Sequence, residues 1–222
     1  GEDGQTFEVP YLDINEEFEN YYNATHPGVE LEVNYTTYSS NEELYAKMTT
    51  SDASYDIIIP SDYLINKLIR ENLIQPINID NIPNFKNIGE KYLAEDISYK
   101  INENGERVYY SATYTFCKVG IIYNKTILEE TFEDFSQEEF EKEGWGVLWN
   151  EKYKGDILQY NNSRDAFGTA MYRLGISVNT TDESQWREAL SALSEQKNLV
   201  QSYVMDEIFN KMSSGSAAIA AY

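Results

Sequence analysis

Apolar residues recur along the chain with two different spacings, and these spacings predict helices that alternate with strands. Positions 14 to 25 carry apolar side chains at helical spacing, whereas positions 29 to 35 alternate between apolar and polar residues, as in a half-buried strand. Ser40 and Glu43 have the spacing of a capping box, which predicts that a second helix begins there. The N-terminal part of the chain therefore predicts helix, strand and helix in that order.

Two apolar runs further along the chain, residues 55 to 60 and 156 to 160, each predict a strand that leads directly into a helix. In both cases short polar residues of the kind that cap helices follow the run. The other predicted elements are strands at 108–115, 119–123 and the end of the chain, and helices near 86–93, 183–196 and 204–213. Strands that alternate with helices predict an α/β protein, in which ligands bind at the carboxyl ends of strands.

The net charge of the chain indicates which classes of partner it can bind. The chain has 38 acidic and 17 basic residues, a formal net charge of −21, which argues against nucleic acid or an anionic membrane surface as the main partner. Cations remain compatible with this charge. Composition and length, 222 residues with 41% hydrophobic, suit one large domain or two small ones with a real core.

Nothing in the sequence indicates a cofactor, a metal or a catalytic site. The single cysteine, Cys117, cannot form an internal disulfide and is expected to be an inert buried thiol, and the single histidine, His26, lies in a predicted surface turn. The chain contains no GxSxG, Walker A, GxGxxG or EF-hand pattern. A hydrolase that uses a pair of carboxylates stays open as a remote alternative, because 38 acids offer many pairs.

Three segments of the chain resemble the spermidine/putrescine-binding proteins of bacterial ABC importers. Residues 36–47 are similar to that family's TYxSNEExxAK pattern, residues 55–63 to its YDxxxPSxY pattern, and residues 148–155 to its LWxPEYKG loop. The order and spacing of these motifs carry the resemblance over essentially the whole chain. It implies a two-lobed type II periplasmic-binding-protein fold, incomplete here, because the family's first strand and C-terminal part have no counterpart between Gly1 and Tyr222.

The resemblance also implies a division into lobes and a set of ligand-binding residues. Residues 1–115 are expected to form part of lobe I and residues 116–222 part of lobe II, with crossover strands near 108–123. The implied binding residues are Ser61, Tyr63, Phe116, Asn162 and Asp165. In this family Asp165 corresponds to a glutamate, Asn162 to an aspartate and Phe116 to a tryptophan.

Each of these residues also has an ordinary structural interpretation. Ser61 and Asn162 suit helix N-caps, Tyr63 suits packing on the sheet, and Asp165 suits stabilisation of a helix dipole. Asp62 has two possible interpretations: its carboxylate could lie at the rim of the cleft, or it could be a solvated residue at the start of the helix. The asparagine at position 162 removes one negative charge from the implied site, which leaves open a different small cationic or neutral ligand.

The function that the resemblance implies is transport. The chain is expected to be the substrate-binding component of an ABC transporter, a monomer without catalytic activity that captures spermidine or putrescine and delivers it to a membrane permease. Its expected location is the periplasm or the outer face of the cytoplasmic membrane, as a free protein, a lipid-anchored protein or a permease fusion. Carboxylates and aromatic rings suit such a ligand, because a cation over a ring contributes about 0.5–2 kcal/mol and a charge-assisted hydrogen bond about 1.5–3 kcal/mol.

Overall fold

The structure, a computed structural model, describes residues 12–222. The chain divides into two compact units, Gly1–Asp52 and Ala53–Tyr222. The division into lobes at residues 115 and 116 stays a prediction. Within the described residues, no helix is both long enough and apolar enough to cross a membrane.

The described residues of the first unit, 12–52, contain the helices α1 (Ile14–Thr25) and α2 (Asn41–Thr50). The Ser40 hydroxyl accepts a hydrogen bond from the Glu43 N–H at 3.1 Å, so the predicted cap of α2 is confirmed. The returning half of the capping box differs by one residue, because the Glu43 carboxylate accepts from the N–H of Ser39 at 2.8 Å. Both ends of this turn are therefore held by side chains.

The strand expected at residues 29–35 is not formed. Among residues 12–222, its backbone is bonded to side chains of α1: Asn23 pairs with both backbone groups of Leu31 at 2.7 and 3.1 Å, and Glu19 accepts the Val33 N–H at 2.5 Å. These bonds satisfy backbone groups of Leu31 and Val33 without a sheet. The alternating pattern therefore predicted a strand that the described residues do not form.

The second unit contains two sheets. The strands are β1 (Tyr99–Ile101), β2 (Arg107–Tyr109), β3 (Ile121–Tyr123), β4 (Ile157–Tyr160), β5 (Val200–Val204) and β6 (Ile219–Ala221). Strands β1 and β2 form an antiparallel pair, whereas the larger sheet has the order β3-β6-β4-β5. In the larger sheet β4 runs parallel to both neighbours, and β3 runs antiparallel to β6.

Six helices accompany these strands in the second unit as described. They are α3 (Asp62–Arg70), α4 (Lys125–Thr131), α5 (Gln137–Glu143), α6 (Ser163–Leu174), α7 (Glu183–Gln196) and α8 (Glu207–Ser213). Short 3-10 helices occur at Ile79–Asn81, Phe85–Asn87, Glu90–Tyr92, Gly144–Trp149 and Glu151–Tyr153. The mixture of helices with a mixed sheet confirms the expected α/β class.

The core of the second unit lies on both faces of the larger sheet. Ile157 of β4 belongs to a large cluster that includes Leu148 and Met171, whereas the next residue, Leu158, faces a smaller cluster with Ile208. All five of these side chains are at most 1% exposed. The first three residues of β4 are all buried because successive side chains point to opposite faces of the sheet and both faces are covered.

Several elements of the second unit differ from the expectations. Residues 55–60 form no strand, and Ile57 is 82% exposed, because no described strand lies beside them to accept their backbone hydrogen bonds. The helix expected near 86–93 is a pair of 3-10 turns, and the strands expected at 108–115 and 119–123 shrink to β2 and β3. Cys117 is exposed and not buried, because it lies in the unpaired stretch between those two short strands.

Candidate ligand-binding site

A cavity of about 760 Å³ lies in the second unit, between one face of α3 along its length and the first turn of α6. Its wall comes from two distant parts of the sequence, residues 62–97 and residues 164–179. The lining residues are Asp62, Tyr63, Asn66, Lys67, Arg70, Glu71, Glu95, Asp96, Ile97, Arg164 and Asn179. The volume lies within the range of small-molecule sites in proteins.

Helix α3 holds Tyr63 at the cavity by its buried face. Leu64 and Leu68 are at most 3% exposed, which fixes the rotation of the helix and leaves Tyr63 half-buried beside the cavity. The Ser61 carbonyl accepts the first backbone hydrogen bonds of the helix, but its hydroxyl does not cap it. The Asp62 carboxylate instead accepts the Tyr63 N–H at 2.7 Å.

Helix α6 begins directly after the buried strand β4. Asn162 is its N-cap, 8% exposed, and its side-chain oxygen accepts the Asp165 N–H at 3.2 Å. Gly175 follows the last turn with a φ of +69°, a left-handed conformation that suits glycine and ends the helix. Strand and cap together fix Arg164 and Asp165 in the first turn, where both are half-buried.

Arg164 and Tyr63 meet across the cavity. The guanidinium carbon of Arg164 lies 5.7 Å from the centroid of the Tyr63 ring, within the range of a cation–π contact. The Nη2 group of Arg164 also donates to the side-chain oxygen of Asn179 at 3.4 Å, which is long for a hydrogen bond. The two helix starts are thus in contact through one aromatic ring and one cation.

Charges of both signs line the cavity, with carboxylates in excess. The carboxylates belong to Asp62, Glu71, Glu95 and Asp96, and the cations to Lys67, Arg70 and Arg164. Glu71 lies 4.0 Å from Lys67, one helical turn earlier. Asp96 has a φ of +62°, which is uncommon for a residue other than glycine. Such a wall offers a cationic ligand several acceptors without a single dominant charge.

A second aromatic group lies at the carboxyl ends of β4 and β6. The rings of Tyr160 and Tyr222 are nearly parallel, 15° apart, with centroids separated by 6.4 Å, and Phe209 meets Tyr222 edge-on at 5.3 Å. Burial raises the pKa of the Tyr160 hydroxyl, and the nearby Asp165, Cys117 and Tyr222 raise it further. Asp165 therefore lies close enough to Tyr160 to influence its charge.

Comparison with known proteins shows which family the chain belongs to. The family model described as bacterial extracellular solute-binding protein matches residues 8–197, which is most of the chain. The chain belongs to this family. The match covers both helix starts that line the cavity.

Two curated relatives of this solute-binding protein have names that state what they bind. The spermidine/putrescine-binding periplasmic protein of Escherichia coli is 30% identical over 186 residues, which cover 83% of this chain and 49% of the relative. The putrescine/cadaverine-binding protein of Pseudomonas aeruginosa is 31% identical over 156 residues, covering 68% of this chain and 40% of the relative. The chain thus spans about half the length of these relatives, or less.

Solved structures confirm the expected fold class. The spermidine/putrescine ABC transporter substrate-binding protein of Streptococcus pneumoniae matches with a TM-score of 0.65 and 29% identity, covering 96% of this chain and 59% of that one. The TpPotD lipoprotein of Treponema pallidum matches with a TM-score of 0.73 and 23% identity, covering 93% and 58%. This solute-binding protein therefore has part of a periplasmic-binding-protein fold.

The five residues expected to bind ligand lie in different surroundings. Tyr63 lines the cavity, and Ser61 directly precedes the helix that carries it. Asn162 and Asp165 flank the cavity at the start of α6 but are not part of its lining. Phe116 is 62% exposed and lies outside the lining. Their contacts with a ligand stay predictions.

Phe116 has an aromatic partner of its own. Its ring stacks on Tyr92, with centroids 5.0 Å apart and planes 23° apart, and Lys91 lies 4.7 Å from the Tyr92 centroid. The Tyr92 carbonyl in turn accepts a hydrogen bond from the Thr113 hydroxyl at 2.7 Å. These contacts hold the exposed ring of Phe116 at a defined place on the surface.

Four residues near the site were not expected from the sequence: Arg164, Asn179, Tyr160 and Tyr222. Arg164 lies between Asn162 and Asp165, which the family resemblance implies as binding residues. The resemblance therefore pointed to this segment but gave no role to Arg164. Tyr160 ends β4, and Tyr222 directly follows β6, so the rule that ligands collect at the carboxyl ends of parallel strands would have indicated both. Asn179 carries no local signal and is brought in by the tertiary fold alone.

Proposed function

We propose that this solute-binding protein captures a polyamine, such as spermidine or putrescine, and delivers it to the permease of an ABC transporter. The names of its relatives support the ligand class, since they describe binding of spermidine, putrescine or cadaverine. The observation that carries the proposal is the cavity in which Tyr63 faces the start of α6 and four carboxylates line the wall.

The chemistry of the wall suits a flexible chain with ammonium groups. Carboxylates at several points of a 760 Å³ cavity provide partners for amines at different spacings, and the ring of Tyr63 provides a flat surface for methylenes. Two or three charge-assisted hydrogen bonds at about 1.5–3 kcal/mol each, together with burial of the ligand's methylenes at about 0.8 kcal/mol per CH2, oppose the cost of ordering the ligand. Micromolar affinity requires a net free energy of roughly −8 kcal/mol.

The proposed roles of the five expected residues come from the family resemblance. Tyr63 is the aromatic wall, Ser61 a hydrogen-bond partner, and Asp165 the anchor for one ammonium. Asn162 contributes its amide group as a neutral polar contact, because its oxygen already caps α6 and its nitrogen makes no hydrogen bond among the described residues. Phe116 is an apolar contact outside the cavity lining, where its ring is 62% exposed and accessible to a ligand.

The proposal includes partners and location. The protein acts as a monomer that presents the bound ligand to a membrane permease and catalyses no reaction. It works outside the cytoplasmic membrane, either free, lipid-anchored or fused to the permease. Two names support this location: the Escherichia coli relative is a periplasmic protein, and the Treponema pallidum structure is that of a lipoprotein.

Calorimetric titration of the intact protein tests the ligand class. Spermidine, putrescine and a neutral sugar are titrated separately at low ionic strength and again at about 0.15 M salt, where exposed charges are screened over about 8 Å. Micromolar binding of a polyamine that persists in salt, with no heat from the sugar, is the expected result. If neither spermidine nor putrescine gives a heat of binding, the proposal is refuted.

A variant tests the anchoring residue. Asp165→Asn keeps the shape of the side chain and removes its charge, so polyamine affinity is expected to fall by at least about tenfold, or 1.4 kcal/mol. Glu188→Gln is the matched control, because Glu188 is exposed on α7 and outside the cavity lining. Equal affinities of the two variants would remove Asp165 from the site.

A second candidate function keeps the fold and changes the ligand. Asn162 is neutral where the polyamine-binding family has an aspartate, and Arg164 adds a positive charge to the cavity wall. Both observations favour a ligand with fewer positive charges than spermidine. The same titration with monoamines and with small neutral solutes distinguishes this candidate, since it predicts that one of them binds more tightly than either polyamine.

A further inference from the structure

We infer that Arg164 is a resident cation, which occupies the face of Tyr63 in the ligand-free protein and is displaced by an ammonium group of the ligand. The inference rests on the proposed function and adds a specificity-determining residue to that site. Because Arg164 competes with the ligand for the Tyr63 ring, it lowers the affinity that the ligand gains from contact with that ring.

The geometry of the contact is that of a bound cation. The Arg164 guanidinium lies 5.7 Å from the Tyr63 centroid, and cations within about 6 Å of a ring centroid are attracted by its negative face. Both residues line the same cavity, so a ligand that enters it meets the ring and the guanidinium together. A ligand ammonium that uses this face of Tyr63 needs the position that Arg164 holds.

Few other contacts hold Arg164 in place. Among residues 12–222 it makes no ion pair, although four carboxylates line the same cavity. The one side-chain hydrogen bond that it makes within the described part of the chain, to Asn179, is long at 3.4 Å. By contrast, the guanidinium of Arg107 lies 2.5 Å from the Glu90 carboxylate, and Arg187 pairs with Glu183 one turn earlier. Arg164 is therefore the less tethered cation and can leave the ring without breaking a charge pair.

This arrangement has a direct consequence for affinity. A ligand that replaces Arg164 gains only the difference between two cation–π contacts, and it also approaches a positive charge of the protein. Removal of that charge is therefore expected to strengthen binding of a polyamine. A neutral solute gains nothing from the same change, because it neither competes for the ring nor is repelled by the guanidinium.

The binding experiment is a cycle of four intact proteins, titrated with spermidine by calorimetry: the unchanged protein, Arg164→Met, Tyr63→Leu and the double variant. Arg164→Met is expected to raise affinity roughly three- to tenfold. Tyr63→Leu is expected to weaken binding more in the Arg164→Met background than in the unchanged protein, since the ring is then available to the ligand. Arg187→Met is the control for net charge and is expected to leave affinity within about twofold.

A second measurement does not depend on ligand. The chain contains five arginines, so their side-chain Nε–Hε signals are resolvable by NMR. In the free protein Tyr63→Leu is expected to shift the Arg164 signal and leave the Arg187 signal unchanged. Spermidine is expected to move the Arg164 signal of the unchanged protein in the same direction as Tyr63→Leu does.

The outcomes separate the inference from the proposed function. If Tyr63→Leu leaves the Arg164 NMR signal unchanged, the contact between Arg164 and Tyr63 in the free protein is refuted, regardless of which ligand binds. Affinity that falls in Arg164→Met overturns displacement and makes Arg164 an anchor for the ligand. If no polyamine binds to any of the four proteins, the proposed function fails and displacement by polyamine fails with it, whereas a shifted Arg164 signal still supports the resident contact.

Discussion

Replacement of Gln159 by leucine is expected to destabilise the second unit by about 1–4 kcal/mol. Gln159 is fully buried in β4, one residue before Tyr160 at the edge of the site. Its amide nitrogen donates to the Thr169 hydroxyl and to the Gln196 side-chain oxygen, both at 3.0 Å, and its oxygen accepts the Tyr160 N–H at 2.9 Å. Gln196 continues the network by donating to the Leu148 carbonyl at 3.1 Å.

The expected magnitude follows from the groups that the substitution leaves behind. The Gln196 side-chain oxygen loses its donor and the Tyr160 N–H loses its acceptor, and an unsatisfied buried polar group costs about 1–3 kcal/mol. Leucine offsets part of this loss by burying an apolar side chain of similar size, which contributes about 1–2 kcal/mol. Two such groups cost about 2–6 kcal/mol, so the net loss of stability is about 1–4 kcal/mol.

Urea denaturation followed by circular dichroism measures this change, with Gln159→Leu, Gln196→Leu and the double variant compared. The two residues share a hydrogen bond, so the double variant is expected to cost about 1 kcal/mol less than the sum of the single variants. Gln75→Leu is the control, because Gln75 is exposed and makes no hydrogen bond among the described residues, and it is expected to change stability by at most about 0.5 kcal/mol. A loss below about 1 kcal/mol for Gln159→Leu, or strict additivity, would refute the reasoning.

Three further predictions concern other parts of the chain. Asn162→Ala removes the cap bond to the Asp165 N–H and is expected to cost about 1 kcal/mol in urea denaturation, so an unchanged midpoint would contradict its role as a cap. Leu148→Ala is expected to cost about 2–5 kcal/mol by the same assay, because Leu148 is fully buried, and a loss under 1 kcal/mol would show that the core refills the cavity. The pKa of Glu43 is lowered to about 2 by Lys47 and then Ser39, so its stabilising contribution is complete above pH 4.5 and is lost as the pH falls from 4.5 to about 2. NMR titration of Lys47→Met is expected to show a higher Glu43 pKa, and no rise would exclude Lys47 as the cause.

Local signals in the sequence predicted most of the helices. Helix α1 has the predicted bounds 14–25, α7 has the predicted bounds 183–196, and Ser40 begins α2 as its spacing indicated. These elements are predictable because a helix satisfies its own backbone groups and is capped by adjacent side chains, so the decisive interactions lie within a few residues.

Strands were predicted less well because a strand depends on a partner that is distant in sequence. Residues 55–60 and 29–35 have good strand patterns and form none, whereas β5 (Val200–Val204) was missed although its burial alternates. Strand β4 was predicted correctly, and it lies between β5 and β6 in the sheet. The pattern of a strand thus reports an extended backbone, and only the tertiary fold decides whether that backbone is paired.

The candidate site shows the same limit. Tyr63 and the start of α6 were found from motifs, because those motifs are local in sequence. The contact between Arg164 and Tyr63 joins residues about a hundred positions apart, and the Tyr160–Tyr222 pair joins the ends of two strands. No periodicity along the chain encodes such distances. The sequence therefore indicated which segments carry the site and not which side chains meet in it.

The two helix starts near the cavity are equivalent in local structure. Tyr63 and Arg164 are each the second residue of their helix, after the N-caps Ser61 and Asn162. The N-terminus of a helix carries a partial positive charge, which by itself disfavours a cationic ligand nearby. Each first turn carries an aspartate, at position 62 in α3 and at position 165 in α6, that opposes this charge. Loss of either carboxylate is therefore expected to weaken binding of the proposed polyamine ligand, even where the residue does not touch it.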